Sequence, residues 1–319
     1  MAHTIVKAEK WAAAALGLLE REIVLAGLVA RDAGADFVGA KNDTVNIKRP
    51  GMLAGTVEAL RAMQGAGYQI VTEELAERSL SVSLDHHIYS AVDLTDAELS
   101  LDIGDFGAQV LAPQVRAIAN RVEFLVAQKL NSLAPSYTVT TEDPADGSIR
   151  KAIIELRKTL NKSDVPQTGR VLVIGVDVEA FLLQDPNLSR AADAGDSSAL
   201  RAAEVGRLYG FRVVVSNSIE PNRMVAFHPS AYTLVTRAPR VPEGAVSGRS
   251  EAYAGIAMRA IRDYNSATAR DRSFLSTFAG IGETLDPEVT WSADGVPTLG
   301  EDTMLRAVAA TVTVTEPVE

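Results

Sequence analysis

The sequence predicts an α+β fold that carries an extended β-hairpin loop. Thr44-Val-Asn-Ile-Lys48 and Leu80-Ser-Val-Ser-Leu84 alternate polar and apolar residues, the period of half-buried strands. The run from Gly104 to Leu133 repeats apolar residues at helical spacing, as does a second run from Ser148 to Lys162. From Arg170 onward, short β-branched runs alternate with turns that carry glycine or proline. The first two strands bracket the most informative segment. Between them lie Gly51, Gly55, Gly65 and Gly67, beside Met52, Leu53, Val57, Leu60, Met63, Tyr68, Ile70 and Val71. A lone two-stranded ribbon is marginal in water, and structureless loops of this length are uncommon in compact domains. These apolar side chains need a surface outside their own excursion, and another copy of the chain supplies one. The predicted subunit interface is therefore Arg49, Met52, Leu53, Val57, Leu60, Arg61, Met63, Tyr68, Ile70 and Val71.

The remaining elements follow in chain order. Val6 to Arg31 reads as an amphipathic helix with Trp11, Ala14, Leu18, Val24, Leu25 and Leu28 on one side, ending at Gly34. Val82 to Val92 continues as strand after the loop. Thr95-Asp-Ala-Glu98 is a capping box that opens a short helix. Along Gly104–Leu133 the buried side is Phe106, Val110, Val115, Ile118, Val122, Leu125, Val126 and Leu133. Pro113 falls inside that run. An interior proline costs about 3 kcal/mol, which predicts a kink or restart at Ala112–Pro113. Pro135 to Gly147 reads as a polar loop, Arg170–Ile174 as a buried strand, Asp177–Leu183 as a helix and Leu188–Ser198 as a loop. Gly206–Asn217 is a turn into a strand, Met224–His228 a strand, and Pro229–Val235 a short helical turn and strand. Pro239–Gly248 reads as an exposed loop, Tyr253–Asp263 as a long strand and Arg272–Gly280 as the last core strand. Beyond Asp286 the chain is polar until Ala307–Val314, a strand suited to a sheet edge.

Composition narrows the function classes. A chain of 319 residues with 47% hydrophobic residues buries a sizeable core in one large domain or two ordinary ones. It has no cysteine, which excludes disulfides, thiolate metal sites and thiol nucleophiles and fits a reducing compartment. The longest apolar runs, such as Trp11–Leu19, are too short to span a bilayer. A net charge of −10 argues against sequence-independent nucleic-acid binding, which needs a basic stripe. It does not argue against a wall that encloses nucleic acid without gripping it.

Candidate chemistry is thin, and no catalytic, cofactor or metal residue is assigned. Asp85-His86-His87 places adjacent histidines on opposite faces of a strand, unsuited to sharing one metal. Gly206 and Gly210 lack the third glycine of a dinucleotide fingerprint and precede a strand, so they read as turn residues. Ser216 and Ser218 lack a nucleophile elbow. Asp93, Asp96, Glu98, Asp102 and Asp105 lack calcium-loop spacing and suit helix N-termini.

Four blocks, in order, resemble the major capsid protein of tailed bacteriophages, in the branch without an attached scaffolding segment. They are Thr44-Val-Asn-Ile-Lys-Arg-Pro50, the stretch Val82 to Leu99 running into the long helix, Gly206-Arg-Leu-Tyr-Gly-Phe-Arg-Val-Val-Val-Ser-Asn217, and Tyr253–Tyr264 followed by Asp271–Gly280. The resemblance spans roughly residues 5–286 and implies the tailed-phage capsid fold. It implies an N-terminal arm (1–40), an extended loop (41–84), a peripheral domain with a long spine helix (85–135 and 250–272), an axial α/β domain (136–249 and 273–290) and a C-terminal tail (291–319).

The implied function is structural: pentamers and hexamers tile an icosahedral shell around double-stranded DNA, assembled in the host cytoplasm and residing in the virion. The implied partners are other copies of the chain, a separate scaffolding protein (favoured by the opening Met1 over a scaffolding extension that was cut away), and portal and decoration proteins, with no membrane and no cofactor. Some relatives weld their shells through a loop lysine. Residues 49–79 contain none, so no such cross-link is expected. Two alternatives stay open: an encapsulin-type nanocompartment shell with the same fold, and a soluble α/β enzyme built on the strand–helix units of 170–217.

Overall fold

The computed structural model describes residues 15, 23–32, 44–49, 72, 78–98, 105–141, 143, 146–185, 206–245, 247–253, 256–291 and 297–314. They form two six-stranded sheets and two separate two-stranded hairpins. In chain order the strands are β1 (Ala30–Asp32), β2 (Thr44–Arg49), β3 (Arg78–Ser83), β4 (His86–Thr95), β5 (Pro135–Thr141), β6 (Val171–Ile174), β7 (Arg207–Leu208), β8 (Phe211–Val215), β9 (Arg223–Phe227), β10 (Tyr232–Arg237), β11 (Ser247–Tyr253), β12 (Ile256–Asn265), β13 (Arg270–Glu283), β14 (Asp286–Trp291), β15 (Pro297–Thr303) and β16 (Ala307–Val314). The α-helices are α1 (Ala112–Ser132), α2 (Ser148–Lys162) and α3 (Val176–Gln184).

Strand β13 organises the first sheet. It pairs antiparallel with β4 along Arg270–Ala279, with β12 along Arg270–Ser276 and with β10 along Phe278–Glu283. Helix α1 covers one face. Its Val115, Ile118, Val122 and Val126 are fully buried with Leu234, Met258, Leu275 and Ala279. Gln114 pins the contact: its amide donates to the carbonyls of Ser90 (3.3 Å) and Ser273 (3.0 Å), and its oxygen accepts from the Ser273 hydroxyl (2.7 Å). The expected restart at proline is present. A π-helical turn, Gly107–Leu111, hands over to α1, and Pro113 sits in the first α-helical turn. The capping box also forms, with the Thr95 N–H donating to Glu98 (2.8 Å) and the Glu98 N–H donating to Thr95 Oγ1 (3.3 Å).

The second sheet runs β5–β16–β9–β6–β8–β7 and is covered on both faces. Alternate residues divide cleanly. Val171, Val173, Val225, Phe227, Ala307 and Ala309 join the core of α1 and the first sheet. Leu172, Ile174, Met224, Ala226, Val308 and Ala310 pack with Ile149, Ile153, Leu156 and Leu160 of α2. Strands buried on both faces read as continuous apolar runs, which is why β6 and β9 have no polar alternation.

Several expectations are corrected. The helix read over Val6–Arg31 does not extend through its C-terminal part: Leu25–Gly27 is a single 3₁₀ turn, and Ala30–Asp32 pairs parallel with β10. The Glu123 carboxylate on α1 accepts the backbone N–H groups of Val24, Leu25 and Ala26 at 2.7–3.0 Å and ends any continuation of helix there. Of residues 6–23, only Ala15 and Ile23 are among the described residues. Val82–Val92 is interrupted at Leu84–Asp85, between β3 and β4. The polar loop over Pro135–Gly147 contains β5, whose threonines pair parallel with β16. The exposed loop over Pro239–Gly248 gives way to β11 at Ser247. Ala307–Val314 is an interior strand between β5 and β9, not a sheet edge. The polar stretch after Asp286 is the hairpin β14–β15. Strands β10 and β13 belong to the first sheet and β16 to the second. Leu188–Ser198 lies outside the described residues.

Candidate subunit interface

The face of the first sheet turned away from α1 holds the candidate site. Along β13, side chains alternate strictly. Ser273, Leu275 and Ala279 point to α1, while Arg272, Phe274, Ser276, Phe278, Gly280 and Gly282 share the other face. The hairpin β2–β3 lies flat on the glycine end of that face. A Cβ on Gly280 would stand 2.0 Å from the Ser83 carbonyl oxygen, and one on Gly282 would stand 2.4 Å from a Val82 methyl. Glycine is required because backbone passes over backbone. Val82, Leu84 and Val235 are buried in this contact, and Val45, Ile47, Leu80 and Phe278 pack around them. The root of the predicted excursion is thus fixed on its own sheet.

Beyond Phe278 the same face is open and aromatic. His87 packs edge-on against Phe278, with centroids 5.0 Å apart, and lies 5.4 Å from Tyr89. Tyr89 stacks on Phe274 at 5.7 Å, and the Arg259 guanidinium sits 5.5 Å from the Phe274 ring centroid. Tyr89 is 61% exposed, unusual for so large an apolar ring. Burial lowers the Arg259 and His87 pKa values, and the Arg259 charge lowers that of His87 further, so His87 is held towards its neutral form. At the far end Arg272 pairs with Asp93 (2.7 Å), which holds the carboxyl below its ordinary value.

Of the ten predicted interface residues, Arg49 closes β2 opposite Arg78. Met52, Leu53, Val57, Leu60, Arg61, Met63, Tyr68, Ile70 and Val71 lie outside the described residues. The aromatic strip was not singled out in the sequence. Its signal is that in His86–Asp93 both alternating sets carry apolar or aromatic residues, Ile88 and Val92 on one and Tyr89 and Ala91 on the other. The turn reading of Gly210 holds, since Tyr209 and Gly210 both take positive φ (47° and 84°) between β7 and β8. Asp85 pairs with His86 at 2.5 Å. Asp96 accepts from the Tyr264 hydroxyl, Asp105 accepts the N–H groups of Gly107 and Ala108, and Asp102 is outside the described residues. Among the described residues no His, Asp and Glu group has a metal-holding arrangement, and no helix is long and apolar enough to cross a membrane.

The geometry combines a two-sheet body, a clamped hairpin and an open aromatic face. Comparison with known proteins places it more narrowly. The chain belongs to the phage capsid protein family, which matches residues 89–277. It is 37% identical over 84 residues to the major capsid protein of Escherichia phage T5, a match covering 25% of this chain and 18% of that protein's length. Its fold is shared with a protein of Mycobacterium phage Che8 (22% identity, TM-score 0.58, 90% of each chain). It is shared as well with the capsid of cyanophage P-SCSP1u (12% identity, TM-score 0.61, 92% of this chain and 89% of that one). The mature capsid of bacteriophage PhiM1 has it too (15% identity, TM-score 0.56, 91% of this chain and 87% of that one). The protein is a structural component of the virion capsid rather than an enzyme.

Proposed function

We propose that this chain is the major capsid protein of a tailed-phage head. Copies assemble into pentamers and hexamers that tile an icosahedral shell around double-stranded DNA, enclosing the genome without specific binding. A separate scaffolding protein guides assembly in the host cytoplasm, and portal and decoration proteins complete the head. Residues 1–40 serve as the arm, 41–84 as the extended loop, 85–135 and 250–272 as the peripheral domain, and 136–249 and 273–290 as the axial domain.

One observation carries this reading. The hairpin covers only the glycine end of its sheet, and the remainder of that face is open and aromatic. The loop beyond Arg49 is rich in methionine and aliphatic residues that find no core in its own sequence. The loop of one copy, with Met52, Leu53, Leu60, Met63, Ile70 and Val71, lies across the strip of the next. Each large side chain fully buried contributes about 1.5–3 kcal/mol, leaving several kcal/mol per subunit after ordering costs. The test is single-particle electron microscopy of the protein co-expressed with its scaffolding protein. Closed shells of genome-enclosing size are expected, and Leu53→Asp or Ile70→Asp leaves folded subunits that assemble poorly. Discrete small oligomers from the unaltered chain, or normal shells from both variants, overturn the reading.

A further inference from the structure

A cavity of about 500 Å³ opens beside β7 and β8, bounded by the turn at Gly27–Leu28, the 167–171 loop and Pro229. Arg170, Arg207 and Arg212 line it, and no carboxylate among the described residues does. Such an imbalance is unexpected in a chain of net charge −10. Arg170 is accounted for: it is buried and donates to the carbonyls of Pro166 and Val165 and to Asn161 Oδ1. Arg207 and Arg212 are not. They stand directly opposite each other as cross-strand partners, both exposed, and neither has an ion pair or side-chain hydrogen bond among the described residues. Like charges facing each other across an antiparallel pair destabilise it. The tight turn at Tyr209–Gly210 prevents the ladder from slipping to separate them.

The hairpin β14–β15 shows the opposite imbalance. From Leu285 to Thr303 the chain has Asp286, Glu288, Asp294, Glu301 and Asp302 and no basic residue. Asp286 is held by Arg306 in a two-pronged ion pair. Glu288 falls where the register slips between Pro287 and Val289, across from Gly300 and Glu301. Glu288 and Glu301 are exposed and have no ion pair among the described residues. The hairpin belongs to neither large sheet and, among the described residues, adds none to the buried clusters. Arg306 also donates to Ser230, the neighbour of Pro229 on the cavity rim. The root of the hairpin therefore lies near the cavity rim, yet no described hairpin residue lines the cavity.

We propose that the arginine cavity at β7–β8 receives the acidic β14–β15 hairpin of a second copy, Glu288 and Glu301 facing Arg207 and Arg212. One contact relieves both like-charge pairs and packs a hairpin that belongs to neither large sheet. A duplex phosphate in the cavity satisfies only the arginines and leaves the acidic hairpin uncovered. The inference rests on the shell reading and adds a second contact, apart from the extended loop.

The test is charge exchange in the full chain. Arg207→Glu with Arg212→Glu, and separately Glu288→Lys with Glu301→Lys, turn attraction into repulsion. Each should raise the subunit concentration needed for assembly about tenfold or more. Mixing the two variants should restore assembly, because each then meets its opposite on the other chain; a contact within one chain is not restored by mixing. All four positions are exposed, so circular dichroism melts should match the unaltered subunit. If a reversal variant melts early, the neutral pair Glu288→Gln with Glu301→Gln replaces it, and its assembly should lose salt dependence that the unaltered chain shows. Normal assembly by both reversal variants, failure of mixing to rescue, retained salt dependence, or loss of packaged DNA alone overturns the inference. If the unaltered chain forms shells in these experiments, only the hairpin contact falls. If it forms none, the shell reading falls first.

Discussion

Gly280 is the point where a single methyl group tests how the extended loop is held. The added Cβ would stand 2.0 Å from the Ser83 carbonyl oxygen, 2.9 Å from its carbon and 3.3 Å from Leu84 Cα. All three are backbone atoms, so no rotamer relieves the clash. An ordinary contact begins at 3.4 Å, so Gly280→Ala must lift β3 by about 1.4 Å. That displacement opens the cluster of Val82, Leu84 and Val235, and overpacking of this kind typically costs about 1–3 kcal/mol. At about 2 °C per kcal/mol for a chain of this size, the melting temperature should fall by about 2–6 °C. Gly282→Ala is the internal comparison, since the nearest atom there is a Val82 methyl that a side-chain rotation can move. Gly27→Ala meets nothing within 4 Å and is the space control. The expected order of damage, in melting temperature and assembly yield alike, is Gly280, then Gly282, then Gly27. A Gly280→Ala chain that melts and assembles like the unaltered protein refutes the clamped-hairpin argument.

Gln114→Leu should lower stability by about 2–3 kcal/mol by orphaning buried Ser273, and adding Ser273→Ala should recover part of that loss; a double variant no more stable than the single one contradicts this. Stability should decline as pH falls below 6.5 towards the lowered pKa of His228. Burial, Arg306 and Arg170 disfavour its charged form, so the unfolded chain binds the extra proton first. Ser230 N–H and O–H both donate to Nδ1, so His228→Gln should flatten that slope in melts between pH 5 and 8, and an unchanged profile refutes it. Assembled shells boiled in detergent should run as monomers, because residues 49–79 contain no lysine; a ladder of higher oligomers refutes this.

What could be read from the chain follows the range of the interactions that set each element. Helix α2 was legible to the residue, because Ile149, Ile153, Leu156 and Leu160 form a complete apolar stripe beneath an Asp146–Gly147 start. The capping box and the proline restart are equally local. Strand β5 was not legible: Pro-Ser-Tyr-Thr-Val-Thr-Thr has a loop's composition and becomes a strand only because β16 arrives from the far end of the chain to pair with it. The start of β1 escaped for a similar reason, since Glu123, about a hundred residues away, takes the amides that a continuing helix would need. Neither the glycine seat nor the aromatic strip was visible, because each depends on which face of β13 points away from α1. That parity is set by Gln114 and Leu275, not by the strip's own residues. What sequence does reveal is a deficit. The apolar run with Met52, Leu53, Leu60 and Ile70 has no evident core in its own sequence, and from that a contact outside the segment is expected. The seat of the strands that flank this segment is legible only in three dimensions, where β2 and β3 are seated on Gly280 and Gly282 of the first sheet.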